Sequence, residues 1–343
     1  MKRFEGFTKG VNLGGWFSQC DYTEERYENF IRPEDFAVIR SWGADHVRVP
    51  VDYNLLEDEA GSPKASGYAH LQRAIDCCRE NGLNMVLDLH KTPGFSFDPD
   101  EGEGGFFDSE RFQQRFYRLW ESLAERFGKY GHMLAFELLN EVTEKDFMPA
   151  WNRISRECIR RIRVFAPTVT ILVGGYWHNS ALSVKDIAPP CDEHIVYNFH
   201  CYEPLIFTHQ GASWMSPPMD TAFRIPVTAS FGELAEAGRR MLNGTCAGVD
   251  AYPPETTLTA AYFEDFFSEA VEAAERNGAA LYCGEYGVID RVPPEQALAW
   301  YRLIHEAFEK CGIGRAAWSY RRMDFGLSDR RMDAVRPELI RYL

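Results

Sequence analysis

The sequence predicts an α/β protein of the (β/α)8 TIM-barrel class with an inserted lobe after strand six. Three observations predict it. Short apolar runs of strand length alternate with longer segments of helical period, and the alternation repeats eight times within 343 residues. No charged linker or low-complexity tract divides the chain, so one closed barrel fits better than an open doubly wound sheet, which uses fewer strands at this length. Reactive polar side chains recur at the ends of the apolar runs, where a parallel barrel gathers its active-site loops.

Val11–Phe17 is the first strand, followed by a helix over Pro33–Trp42 in which Pro33 suits a first-turn position. His46–Val51 is the second strand and Tyr68–Asn81 its helix, closed by Gly82. Asn84–His90 is the third strand. Phe112–Phe127 is strongly amphipathic, with Ser109 as its N-cap. Leu134–Val142 and Pro149–Phe165 form the fourth unit, and Thr170–Tyr176 with a weak helix around Ala181–Ile187 the fifth. His194–Tyr202 is the sixth strand. Residues 203–255, rich in Pro, Gly, Met and aromatics with a helical stretch near Phe231–Leu242, break the rhythm. This stretch is long for a plain loop and reads as an insertion between strand six and helix six of a single domain spanning 1–343. A helix at Thr259–Asn277, a strand at Ala280–Gly287, a helix at Glu295–Lys310, a strand at Arg315–Tyr320 and a short helix from Pro337 complete the count.

Composition narrows the partners. A formal charge of −14 repels phosphate backbones and anionic lipid, which argues against nucleic acid or a membrane surface, whereas a neutral polysaccharide is indifferent to it. The N-terminal segment has no apolar run of signal-peptide length and no stretch reaches membrane-span length. The expectation is a soluble monomer, cytoplasmic or secreted after loss of a signal. Nine cysteines without a Cys-x-x-Cys pair, several of them (Cys158, Cys201, Cys283) inside apolar runs, read as buried thiols in a reducing compartment. No cofactor and no metal is expected.

The strand ends carry the chemistry. Arg48 lies in HVRVP, His90 ends VLDLH, Asn140 and Glu141 end AFELLNE, His200 and Tyr202 end VYNFHCY, Glu285 sits in LYCGEYG and Trp318 in AAWSY. Glu141 and Glu285, on strands four and seven, should face each other across the barrel mouth. Glycosidic cleavage needs such a pair, one carboxyl to protonate the leaving oxygen and one to attack the anomeric carbon. Their surroundings must separate them, one protonated and one ionised. Arg48 and Tyr202 can hold Glu285 ionised, and Asn140 can hydrogen-bond a sugar 2-hydroxyl. Gly284 and Gly287 leave room around Glu285. Glu137, in the same strand as Glu141, reads as a paired or solvent-facing structural acid, and His90 as either a satisfied structural histidine or a substrate contact. Trp42, Trp120, Trp151 and Trp300 lie in helices and should pack. Trp318, Trp177, Trp16 and, in the insertion, Trp214 are the candidates for stacking on sugar rings.

The pieces GVNLGGW (10–16), HVRVP (46–50), LDLH (87–90), ELLNE (137–141), YNFHCYEP (197–204), LYCGEYG (281–287) and AAWSY (316–320) resemble, in order, those of glycoside hydrolase family 5, the retaining cellulase family, and most of all its short endoglucanase C type. The resemblance implies Glu141 as acid/base, Glu285 as nucleophile, and Arg48, His90, Asn140, His200, Tyr202 and Trp318 around the sugar. One departure is Val142, where many members have proline. The implied activity is endo-hydrolysis of β-1,4-glucan or mixed β-1,3/1,4-glucan. A mannanase or glucomannanase of the same family, a non-catalytic sugar-binding barrel, and a metal hydrolase using His90 and His200 are the alternatives. The last is disfavoured by both glutamates and by the lack of a His-x-x-x-His pair.

Overall fold

The computed structural model describes residues 1–242 and 248–343; positions 243–247 of the expected insertion lie outside the described residues. Strands β1 (Lys9–Asn12), β2 (His46–Asp52), β3 (Asn84–Lys91), β4 (Leu134–Glu137), β5 (Thr170–Gly174), β6 (Ile195–Cys201), β7 (Ala280–Tyr286) and β8 (Gly314–Ala317) pair in parallel and close into one barrel in sequence order. Around them lie α1 (Pro33–Ser41), α2 (Ala65–Glu80), α3 (Glu110–Phe127), α4 (Met148–Phe165), α5 (Phe231–Met241), α6 (Ala260–Asn277), α7 (Pro294–Cys311) and the one-turn α8 (Arg336–Leu339). The weak fifth helix is a 3-10 segment, Ala181–Asp186.

Local sequence explains the elements. In α3, Phe116, Leu119, Trp120, Leu123 and Phe127 recur at helical spacing and are buried, and the Ser109 hydroxyl accepts from Phe112 N–H at the N-terminus. The chain leaves α2 through Gly82 at φ +62°, a left-handed conformation that side chains disfavour. Between β6 and α6, Ser230 and Glu233 form a capping box for α5. Phe231 of α5 packs on Tyr252 and on Tyr262 of α6.

Several strands are shorter at their C-terminal ends than the apolar runs that encode them. β1 stops at Asn12, β4 at Glu137, β5 at Gly174 and β8 at Ala317, and the residues beyond form the mouth of the barrel. The first strand's expected end is corrected by packing. Trp16 is 2% exposed, stacks on Phe17 at 3.8 Å, and donates its indole N–H to the Tyr27 carbonyl. It is a core residue, not a sugar platform, because its hydrogen-bond partner lies in the layer outside the barrel. Trp120, Trp151 and Trp300 are fully buried and Trp42 nearly so, as expected of helical tryptophans.

The barrel interior is layered by the two-residue period of its strands. Val86, Ala135, Leu172, Val196, Ala280 and Ala316 make an apolar floor with Tyr282, plugged from below by the stacked rings of Phe4 and Phe7. Two residues up each strand the layer turns polar, with Asn12, Arg48, Asp88, Glu137 and Asn198 all fully buried. Two further up stand His90 and His200, and Trp318 follows directly on the end of β8. Among the described residues no helix is long and apolar enough to cross a membrane, and the eight described cysteines are unpaired, with Cys158, Cys201 and Cys283 buried.

Candidate active site

Arg48 organises the polar layer. Its Nε and Nη2 donate to both Glu137 oxygens at 2.7 and 2.8 Å, Nη1 to Asn12 Oδ1 (2.9 Å) and Glu285 Oε1 (2.6 Å), and Nη2 to Asn140 Oδ1 (2.9 Å). Asp88 Oδ2 lies 2.9 Å from Nη2 and also 2.6 Å from His90 Nδ1. A buried guanidinium is tolerable only when so surrounded. Burial opposes a charge on His90, but the Asp88 carboxylate outweighs it and shifts the imidazole toward its protonated form.

Glu285 reaches this centre through a bulge. The β6–β7 register slips between Phe199 and His200, so that Phe199 pairs with Cys283 and His200 with Glu285. Strict alternation after Tyr282 would point residue 284 inward; the extra residue brings Glu285 in instead. Gly284 fits the bulge because a Cβ there would come within 2.8 Å of Asn198 Oδ1 and 3.0 Å of His200 Nε2. Its N–H donates to Asn198, and its carbonyl accepts from Asn12. The second Glu285 oxygen accepts from the Tyr202 hydroxyl at 2.8 Å.

Glu141 is presented differently. Beyond β4 the chain enters a left-handed conformation at Glu141 itself (φ +44°), a strained state for a non-glycine residue of the kind that clusters at functional sites. It is held by the segment after β5, where Trp177, His178 and Asn179 are all left-handed (φ 51°, 55° and 57°) and the Trp177 and His178 N–H groups donate to the Thr143 and Val142 carbonyls. His200 Nδ1 lies 2.7 Å from one Glu141 oxygen and His178 Nδ1 3.1 Å from the other. Burial would raise this carboxyl, but the hydrogen bonds from His178 and His200 prevail and hold it below the usual carboxylate range. The expected acid therefore lies between two imidazoles whose hydrogen bonds favour its ionised form.

The two carboxyls meet. One oxygen of Glu141, one of Glu285 and a ring nitrogen of His200 all lie within 4.8 Å of one another, with His200 Nδ1 3.7 Å from Glu285 Oε2. Three such donors could hold a cation, but the Arg48 guanidinium already neutralises Glu285, so we read them as proton-handling groups and not as metal ligands.

The remaining residues surround this pair unequally. Trp318, 6% exposed, lies parallel to the His90 ring (centroids 5.9 Å, 6°). Phe97 meets the His90 ring edge-on at 5.1 Å, and the adjacent Lys91 pairs with Glu101. Trp177 is half exposed next to His178. Trp214 is also half exposed but lies in the segment between β6 and α5, beneath the Arg291 guanidinium (5.1 Å), and among the described residues takes no part in the carboxyl pair's hydrogen-bond network. Sequence reasoning missed Asn12, Asp88 and Asn198, which the two-residue inward period could have marked, and took Glu137 as incidental, although it carries the bidentate contact to Arg48. It also missed His178, for which the sequence gives no signal: only the left-handed run turns it onto Glu141.

A parallel (β/α)8 barrel with two carboxyls this close at its C-terminal mouth defines the class of retaining glycoside hydrolases, whose paired carboxyls stand about 5 Å apart. Within that class the chain belongs to glycosyl hydrolase family 5, the cellulase family, whose model matches residues 7–324. It is 47% identical over 315 residues to cellodextrinase A of Ruminococcus flavefaciens, covering 92% of this chain and 86% of that one. Endoglucanase C of Acetivibrio thermocellus is 34% identical over 340 residues, 98% of each chain. Among solved structures, an endoglucanase of Thermotoga maritima superposes with a TM-score of 0.76 at 21% identity over 98% of this chain and 97% of its own, a likeness of fold.

Proposed function

We propose that the protein is an endo-acting β-glucanase that hydrolyses β-1,4-glucan or mixed-linkage β-1,3/1,4-glucan by double displacement, with Glu285 as nucleophile and Glu141 as acid/base. The observation that carries the assignment is the unequal partnering of two adjacent carboxyls. Glu285 accepts from Arg48 and Tyr202, which favours its anionic, attacking form. Glu141 touches two imidazoles that can supply and recover a proton. A sugar lying over Glu285 would place its 2-hydroxyl against Asn140, whose side-chain Oδ1 is taken by Arg48 while its Nδ2 is buried without a partner among the described residues. His90 Nε2 and His200 Nε2 are likewise buried and unpartnered among the described residues, which supports substrate hydroxyls as their missing partners. Trp318 and Trp177 would offer ring faces to the chain, and Trp214 on the insertion an outer one.

The names of the relatives, a cellodextrinase and an endoglucanase, support a glucan over a mannan. The test is proton NMR of the first-formed sugar from barley β-glucan. A β-anomer is expected, and an initial α-anomer would exclude the double displacement. Product sizing on carboxymethylcellulose, lichenan, laminarin and galactomannan fixes the specificity: medium-length glucan fragments support the reading, and turnover confined to galactomannan would overturn it.

A further inference from the structure

We propose that His178 is a positioning residue that stores the proton Glu141 delivers, and so sets the alkaline limit of glycosidic cleavage. The inference rests on Glu141 being the acid/base. A carboxyl in a cleft that must protonate a leaving oxygen needs a source of that proton, and here each oxygen of Glu141 faces one imidazole nitrogen.

The two histidines are not equivalent. His200 is buried, its side chain 1% exposed, with Nδ1 shared between Glu141 and Glu285 and Nε2 enclosed. It can position both carboxyls but is nearly sealed from bulk water until substrate binds or leaves. His178 has a side chain 53% exposed, so its protonation state follows the pH of the surrounding water. Its place on Glu141 is fixed by main-chain hydrogen bonds from Trp177 and His178 to the loop that carries Glu141, which tie the end of β5 to the end of β4. Besides Glu141, the acid facing His178 is Glu144 from that loop, while Lys145 lies over the neighbouring rings of Tyr176 and Trp177. Glu141 is faced from the end of β5 by His178, from β6 by His200 and, in the segment following it, by Tyr202 and His209. Glu285 of β7 touches the cluster through His200. Partial desolvation of the ring disfavours a charge on His178, but the hydrogen bond to Glu141 and its charge outweigh it and raise the imidazole's affinity for a proton.

The proton balance closes. In the first step His178 Nδ1–H passes its proton to Glu141. Glu141 then protonates the glycosidic oxygen as the bond to the anomeric carbon breaks and a Glu285 oxygen forms the glycosyl ester. In the second step Glu141 takes a proton from the attacking water, the ester bond to Glu285 breaks, and the proton returns to His178. Above the pH at which His178 loses its proton, the first step lacks its donor.

The test compares His178→Ala and His178→Gln with wild type, measuring kcat/KM against pH on cellopentaose and on 2,4-dinitrophenyl β-cellobioside, whose leaving group needs no acid. On cellopentaose both variants should lose the alkaline limb by about one pH unit, roughly a ten-fold loss near pH 8, with the aryl glycoside little changed. Gln preserves size and the hydrogen bond without titrating, so it decides the matter should the Ala variant fold poorly. An alkaline limb unmoved in the Gln variant would overturn the proposal. Glu141→Gln separates the two ideas. Loss of cellopentaose turnover with the aryl glycoside's first step retained upholds the acid role whatever His178 does, whereas equal loss on both substrates refutes that role and the storage role with it.

Discussion

Replacing Arg48 by lysine keeps the buried positive charge and removes its geometry, and the structure gives the size of the effect. The guanidinium makes six contacts, two to Glu137 and one each to Asn12, Asn140, Asp88 and Glu285. An ammonium has fewer N–H groups and no flat fork, so roughly three of these acceptors lose their partner. Breaking a buried ion network of this kind costs about 3–5 kcal/mol. With an unfolding entropy of about 2.1 cal/mol/K per residue, or roughly 0.7 kcal/mol/K for this chain, Tm should fall by about 4–7 °C in differential scanning calorimetry. Glu285 and Asn140 are held by the same fork, and a displacement of about 1 Å at a reacting group costs on the order of 100-fold, so kcat/KM on cello-oligosaccharides should drop by about that factor. A variant melting within about 1 °C of wild type with full turnover would refute the view that one guanidinium supports both the barrel's polar layer and the reacting carboxyl.

Two further substitutions test other parts of the account. Trp16→Ala should destabilise by about 3–5 kcal/mol, the cost of emptying a core site, while leaving KM on soluble glucan unchanged; a KM rise without a stability loss would restore Trp16 as a sugar contact. Burial pushes the Glu203 carboxyl up to about 7. A folded value above that of the unfolded chain gives stability that is full below the unfolded carboxylate range (about 4.3) and lost as pH rises through about 7. Glu203→Gln should therefore flatten the fall in Tm between pH 5 and 8, and an unchanged slope would contradict this.

The barrel was legible because strand and helix periods alternate cleanly and because each βα unit is short. Strand ends were less so. Apolar letters continue past Glu137 and Gly174, but the chain there departs from the ladder so that Glu141 and His178 can adopt left-handed backbone, and hydropathy carries no trace of that. Residues whose inward placement follows from a strand position, such as Arg48, His90 and His200, could be read directly. Glu285 could be read from its motif, although its inward direction depends on the bulge at Gly284. Trp16 was misjudged because an aromatic just past a strand can turn either way, and the Tyr27 carbonyl that draws it outward lies eleven residues along in a different layer. Asp88 and Glu137 look like ordinary strand acids until Arg48 is seen between them.

The most direct measurement is to trap the glycosyl ester. Incubation with 2,4-dinitrophenyl 2-deoxy-2-fluoro-β-cellobioside, followed by intact mass and peptide mapping, should show a single added glycosyl group on Glu285, in the peptide that contains Leu281–Gly287. The Glu285→Gln variant should take up none. An adduct on another side chain, or full turnover of natural glucan by the Gln variant, would contradict the account.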